Sequence, residues 1–254
     1  MKPSSWISVR RAALAPAVLC MLWLLISASG FVDTLFVPGP YSVLKAGVRL
    51  FGEGTFWGSL VATLWRMLAG FLLAAAAAIP LGAMLGYMRH AYSYSEFLID
   101  FTRSVPATAL YPLFMLSFGI GDKSKIAIVA FACFFVILIN SIYGVWNAPK
   151  TRVIMARTFR ATRFQIFSKI VLFDALPQIF AGLRNALSIA LIMAVVAEMF
   201  IGTSSGLGFL IMNSKLSYDT PTMYAVIIIL GAIGYLSSRT LLLIEKRAIH
   251  WSRT

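Results

Sequence analysis

Charge is scarce in this 254-residue chain: Asp, Glu, Lys and Arg together make up 12% of it, about half the ~25% of an ordinary soluble domain. That is too little polar surface to clothe a water-soluble globule. The 60% apolar content excludes a disordered chain as well. Acids are scarcer than bases, nine against 22 Lys and Arg, for a net charge of +13. The two cysteines, Cys20 and Cys133, lie in apolar runs without C-x-x-C or metal-ligand spacing. They read as small core hydrophobes, and no disulfide framework is implied. Only two histidines occur, His90 and His250. No G-x-x-x-x-G-K-[ST] is present, so the chain has no P-loop with which to cradle nucleotide phosphates. Paired carboxylates are missing from the apolar runs, which counts against a proton-coupled transporter.

What is present is hydrophobic length, with a mean hydropathy of +0.86. A spanning helix needs ~20 mostly apolar residues. About six such runs can be drawn, at 12–31, 60–88, 98–118, 126–146, 179–200 and 223–243. The first, preceded by Lys2, Arg10 and Arg11 and ending near Ala28 and Ser29, also has the layout of a signal peptide. The further runs downstream favour an uncleaved first helix. Val37-Pro38-Gly39-Pro40 marks a turn before a short amphipathic stretch. Gly82 and Gly86 form a small-xxx-small pair that admits a close neighbouring helix. Pro106 and Pro112 predict that the third run is kinked or broken. The expected organisation is an N-terminal helix and external loop over 1–57, a transmembrane core over 58–245 with a loop at 147–175, and a tail over 246–254.

The basic excess then becomes a statement about sidedness. Six spans put both termini on one side, and the loops of that side carry fourteen Lys and Arg, six of them in the tract 150–169. The opposite loops carry five: Lys45, Arg49, Lys123, Lys125 and Lys215. The positive-inside rule makes the basic side cytoplasmic, so both termini are expected inside, in a multi-pass inner membrane protein. A nucleic-acid partner is not needed to explain +13.

Gly202-Thr203-Ser204-Ser205-Gly206 matches the G-x-S-x-G of serine hydrolases. That chemistry needs a base within hydrogen-bond reach, and both histidines fall at the other face, ~30 Å of hydrocarbon away. A tight turn of small residues is the remaining reading. Glu198 is the one clear acid at the edge of an apolar run and is a functional candidate on that ground. Arg66, Arg103 and Arg184 also fall in or near spans, where a mid-bilayer arginine costs ~2.5–3.5 kcal/mol. Snorkelling or helix packing is one explanation for them. Lining a path for a polar or anionic solute is the other, with Arg66, Arg184 and Glu198 as its candidate residues.

The segment from Arg157 reads RTFRATRFQIFSKIVLFDALPQIFAGLRNALSIALIMAVVAEMFIGTSSGLGFLI. It resembles the signature region of bacterial ABC-importer permeases, in the branch with nitrate, aliphatic sulfonate and taurine permeases. Arg157-Thr158, Ala161, Ile170, Leu172 and Ala175-Leu176-Pro177 follow that family's E-A-A, R-T-L-G-A, I-x-L-P and A-L-P pattern. Val196-Ala197-Glu198-Met199 and Ser205-Gly206-Leu207-Gly208 match downstream, and Leu64-Trp65-Arg66 with Gly70-Phe71 and Arg103-Ser104-Val105-Pro106 match upstream. The likeness runs in order over about 56–215. It departs where the loop is most demanding: Ile154 stands for the first Glu, Met155 for the next Ala, Arg160 for the usual Gly, and Phe173 for the Pro of I-x-L-P.

The resemblance implies an all-α, polytopic membrane protein of about six transmembrane helices with the type I ABC-importer permease fold. Its cytoplasmic loop would form the coupling helix that seats in an ATPase subunit, carried here by Ile154, Met155, Ala156, Arg157, Thr158, Phe159, Arg160, Ala161 and Arg163. Drawn as one helix, the tract places Met155, Phe159, Ile166, Ile170 and Phe173 near one face, with a break near Arg163. An amphipathic helix on anionic lipid is the alternative. The implied partners are ABC ATPase subunits that bind ATP–Mg, a second permease copy or homologue, an extracytoplasmic solute-binding protein and the bilayer. No cofactor is expected in this chain and no enzymatic activity. The implied cargo is a small polar or anionic organic solute, such as a sulfonate, taurine, nitrate or a thiamine precursor. A secondary transporter or channel working without an ATPase is the alternative function.

Overall fold

A computed structural model describes residues 5–30 and 32–249, with side chains described at residue 14 and from residue 16 onward. The side chains of Lys2, Arg10 and Arg11, and residues His250 and Arg253, which entered the charge and hydrolase arguments, lie outside the described residues. Every element among the described residues is helical: α1 (Ser5–Ala28), α2 (Pro40–Phe51), α3 (Gly54–Tyr87), α4 (Arg89–Ser104), a 3-10 turn (Ala107–Leu110), α5 (Tyr111–Phe118), α6 (Asp122–Trp146), α7 (Lys150–Thr158), α8 (Arg163–Ile166), a π turn (Phe167–Val171), α9 (Leu172–Phe200), α10 (Leu207–Leu216) and α11 (Thr220–Ala248).

Four helices among the described residues are long and apolar enough to cross a membrane: α3, α6, the continuous stretch Arg163–Phe200, and α11. They coincide with four of the six expected runs. The first run is the apolar part of α1, Pro16–Ala28. The third is broken, as its prolines predict. Helix α4 stops at Ser104, Val105 and Pro106 are extended, and the chain re-enters a helix with Pro112 in the first turn of α5. A residue before proline is pushed out of the α region, and proline has no N–H to continue the ladder.

The centre is α3, α6 and α9. Helix α3 presents a run of small side chains, with Ala74, Ala75 and Ala78 buried, and α9 presents Ala186, Ala190 and Ala194 to the same cluster around Ile128, Ile137 and Leu138. The Gly82/Gly86 pair is used against α6: a Cβ on Gly82 would lie 2.6 Å from the Leu138 carbonyl oxygen, and one on Gly86 2.9 Å from Val145 Cβ. The backbones touch because no side chain intervenes, the close approach that drives helix association in lipid. Cys133 is fully buried in this core, its thiol donating to the Ala186 carbonyl at 3.3 Å. Cys20 corrects the reading of both cysteines as core residues: it is exposed on α1, whose described side chains lie mostly on the surface of this protomer.

Contacts between the connecting segments fall into two groups. At the basic end, the Tyr87 ring packs on Phe167 at 4.9 Å between centroids and Tyr92 packs edge-on to Trp146 at 4.7 Å. The first contact joins the end of α3 to the 150–169 tract, and the second joins α4 to the end of α6. At the opposite end, Arg49 of α2 bonds Asp219 at 2.9 Å ahead of α11.

Candidate functional site

The tract at the basic end starts where Pro149 caps α7 with an extended backbone. Val153 and Ala156 turn inward onto a small core of Ala83, Val145, Ile166, Val171, Ala175 and Ile179. Helix α7 is also tied to the first turn of α9 by an Arg152–Asp174 ion pair, whose carboxylate side is nearly buried. Sequence reasoning missed this pair. An Arg/Asp separation of 22 residues has no local signature.

The helix ends in a Schellman turn: Ala161 N–H reaches Ala156 O at 3.0 Å and Arg160 N–H reaches Arg157 O at 2.9 Å. Arg160 itself adopts φ 57°, the left-handed region that glycine enters without penalty and a Cβ-bearing residue does not. The usual Gly of the resembled pattern therefore has a geometric reason, and this chain performs the same turn with an arginine. Thr162 restarts the helix with a capping box: its hydroxyl accepts from Gln165 N–H at 3.3 Å, and the Gln165 side chain accepts from Thr162 N–H at 2.8 Å. From Arg163 the chain runs through α8 and the π turn into α9 without leaving helix.

The break at 159–162 corrects the one-face arrangement. Ile166 rotates into the core at 4% exposure, while Met155 and Phe159 stand at 57% and 84%. Ile154 and Phe164 are exposed too. An apolar knob therefore projects from the basic end, built from side chains that have no reason to face water unless something covers them.

At the other end lies a buried charge cluster. Glu198 of α9 is fully enclosed, and Arg66 of α3 donates to it at 2.6 Å. The guanidinium also donates to Asp122 at 2.8 Å, to the Ser205 carbonyl at 2.8 Å and to the Ser205 hydroxyl at 3.3 Å. Glu198 accepts further bonds from Thr63 at 2.8 Å and from Gly208 N–H at 2.9 Å, while Thr63 accepts from Leu207 N–H at 2.8 Å. Gly206, at φ 128°, lies directly against the Glu198 carboxylate, where any Cβ would overlap it. The G-x-S-x-G match is thus a turn clamped by Arg66 and Glu198. The one described histidine, His90, is in α4, which begins at the basic end. Arg66 and Glu198 face each other inside the protomer, so neither snorkels. Arg184 is half-buried and pairs with Glu245 of α11.

A cavity of about 390 Å³ opens elsewhere, between the break after α4 and the facing sides of α6 and α9. Its lining includes Arg103, Ser104, Pro106, Phe131, Phe135, Ile189 and Met193. Irregular backbone at membrane depth is tolerated where it is buried in protein or lines a water-filled cavity, and discontinuous helices are where transporters commonly place solutes. Arg103 is half-exposed and pairs with Asp100 at 2.8 Å. It was noticed in the sequence as a charge to be explained, but the cavity beside it is visible only once the helix break is placed.

Long apolar helices packed through small residues, a broken helix beside a cavity and an exposed knob at the basic end define a membrane-embedded transport subunit. The family described as binding-protein-dependent transport system inner membrane component matches residues 78–250. A Bacillus subtilis protein named as an aliphatic sulfonates transport permease, SsuC, is 32% identical over 95% of this chain and 87% of its own. The taurine transport system permease protein TauC of Escherichia coli is 30% identical over 92% of this chain and 87% of its own. Among solved structures, the MetNI methionine ABC transporter in an inward-facing conformation shares the fold, with TM-score 0.69 at 19% identity over 79% of this chain and 99% of that one. The chain belongs to the binding-protein-dependent transport system inner membrane component family, as a permease subunit of an ABC importer and not an enzyme.

Proposed function

We propose that the chain pairs with a second permease subunit, identical or homologous, to enclose a path for a small organic anion of the sulfonate type. An extracytoplasmic binding protein would deliver the solute to the loops at 31–57, 119–125 and 202–218. ATPase subunits, which bind and hydrolyse ATP–Mg, would dock on residues 154–163 from the cytoplasm, where both termini also lie. The observation that carries this reading is the apolar knob of Met155, Phe159 and Phe164, held to the start of α9 by Arg152 and Asp174. ATP binding favours the closed ATPase dimer, and a contact fixed to α9 converts that preference into a preference for one arrangement of the spans. The names of the sulfonate and taurine relatives support the solute class. Arg103, the cation beside the broken helix, would suit a sulfonate once it exchanges Asp100 for the solute. The 58–245 core would do the transporting, with 1–57 and 246–254 as flanking segments.

The test is Phe159→Asp together with Met155→Asp, measured by ATPase co-purification and by ATP-dependent uptake of a radiolabelled alkanesulfonate into proteoliposomes. Both signals should be lost while membrane insertion is retained. ATPase binding at the wild-type level in the double variant would refute the docking site. Uptake by the chain with no ATPase present would refute the importer reading.

A further inference from the structure

A second cavity, also about 390 Å³, sits at the basic end where α3 and α6 finish and α7 begins. That volume lies within the ~300–1,000 Å³ typical of small-ligand pockets. Three cations line it: Arg89 from the first turn of α4, and Lys150 and Arg157, seven residues apart on one face of α7. No carboxylate is in the lining. None of the three forms an ion pair among the described residues, whereas Arg152, on another face of α7, is taken up by Asp174. The lining also includes Trp146, whose indole N–H is buried without an acceptor. Three exposed, unpaired cations and a buried indole N–H donor thus meet around one open cavity. A buried donor left unmade costs ~1–3 kcal/mol, and like charges brought together without a counter-charge repel.

We propose that this cavity binds the phosphodiester headgroup of an anionic phospholipid. Depth argues for a lipid over a dissolved anion. The floor is made by the last residues of two membrane-length helices, Tyr87 of α3 and Trp146 of α6, and Tyr and Trp are enriched at the level of the headgroups. Basic pockets between spans at the cytoplasmic face suit such headgroups. Met155 and Phe159 are not part of this lining, whereas Ile154 and Arg157 are, so a lipid here and an ATPase on the knob would share an edge at those two residues. A headgroup in the cavity bridges the α3–α4 turn to α7. It therefore makes the seating of the coupling segment depend on lipid composition.

The test uses the full chain in nanodiscs of phosphatidylcholine with or without phosphatidylglycerol, before and after its ATPase is added. Retained phosphatidylglycerol is counted by native mass spectrometry. The wild type should hold it through detergent exchange. Each of Arg89→Gln, Lys150→Gln and Arg157→Gln should weaken retention about fivefold, and the triple variant about a hundredfold. Trp146→Phe keeps the ring and removes the donor, and should cost about tenfold. Lys150→Arg should retain the lipid, which separates a charge effect from misfolding. Equal retention by the triple variant and the wild type overturns the proposal. So does displacement of the lipid by inorganic phosphate, which would make the ligand a soluble anion, or by addition of the ATPase, which would make it an acidic side chain of that partner.

Discussion

The clamp at Arg66 and Glu198 is the place where one substitution should cost most. Arg66→Ala leaves the Glu198 carboxylate fully enclosed with only Thr63 and Gly208 to satisfy it. It also strips the Ser205 carbonyl of its donor. Breaking a buried pair from one side costs about 3–5 kcal/mol, because the remaining charge has neither water nor partner. Glu198→Gln is gentler. The amide oxygen still accepts from Gly208 and Thr63, and Arg66 keeps Asp122 and Ser205, so the expected loss is about 1–3 kcal/mol. Since the two residues share one contact, the double variant should lose less than the sum, with a coupling of about 0.5–3 kcal/mol. The assay is reversible unfolding of the four proteins in mixed micelles, read as a complete double-mutant cycle. Strict additivity, or a loss under about 1 kcal/mol for Arg66→Ala, would refute the view that this ion pair holds the 201–206 turn against α3.

Arg160→Gly should stabilise the turn after α7 by about 1 kcal/mol, since the left-handed geometry is already in place and glycine meets it without the Cβ penalty. Denaturation of the purified chain checks this, and a loss of stability would mean that the Arg160 side chain holds the turn. Gly82→Leu should destabilise by about 1–3 kcal/mol or more, because the new Cβ meets the Leu138 carbonyl, a backbone atom that cannot rotate aside. Thermal unfolding measures it, and wild-type stability would show that α3 and α6 are not in contact there. Asp219 supplies a pH effect: burial pushes its carboxyl up, but bonds from Thr222 and Arg49 outweigh burial and hold it below the ordinary carboxylate range. A depressed value means its contribution is complete above about pH 4 and declines as pH falls through the folded value. The stability difference between wild type and Asp219→Asn should therefore be flat from neutral pH to about 4 and shrink below it. A difference that grows on acidification would contradict the sign.

How much of this was legible depends on the range over which each signal acts. Hydrophobic length is local, so α3, α6, α9 and α11 could be drawn from the sequence, and Pro106 announced the break in the third run. The break in the basic tract was expected near Arg163, where α8 begins, but the left-handed backbone of Arg160 that stops α7 and the turn of Ile166 into the core carry no periodic signal. Arg66 and Glu198 were visible as anomalies, each a charge in an apolar run. That each answers the other was not visible, since 132 residues separate them. Arg152 and Asp174 carried no anomaly at all: both sit where polar residues are expected.

The positions of these sites along the chain bear on how they could communicate. The helix that starts beside the coupling turn at Arg163 continues to Phe200, so its 38 residues reach roughly 57 Å at 1.5 Å per residue. Glu198, two residues from its end, anchors the turn at the opposite face of the membrane. A knob tied to the start of this helix by Arg152 and Asp174, and a clamp at its finish, are thus two ends of one element. Two interruptions lie between them, the π turn at Phe167–Val171 and Pro177 inside α9. Such interruptions are where helices bend, and both fall near the basic end, within the first 15 residues after Arg163. Both interruptions thus lie on the basic-end side of Ala186, Ala190 and Ala194, the residues with which α9 packs on α3 and α6. If an ATPase docks at the knob as proposed, weakening the Arg66–Glu198 pair should change how far a displacement there is passed along the helix, because that pair holds the end farthest from the docking site.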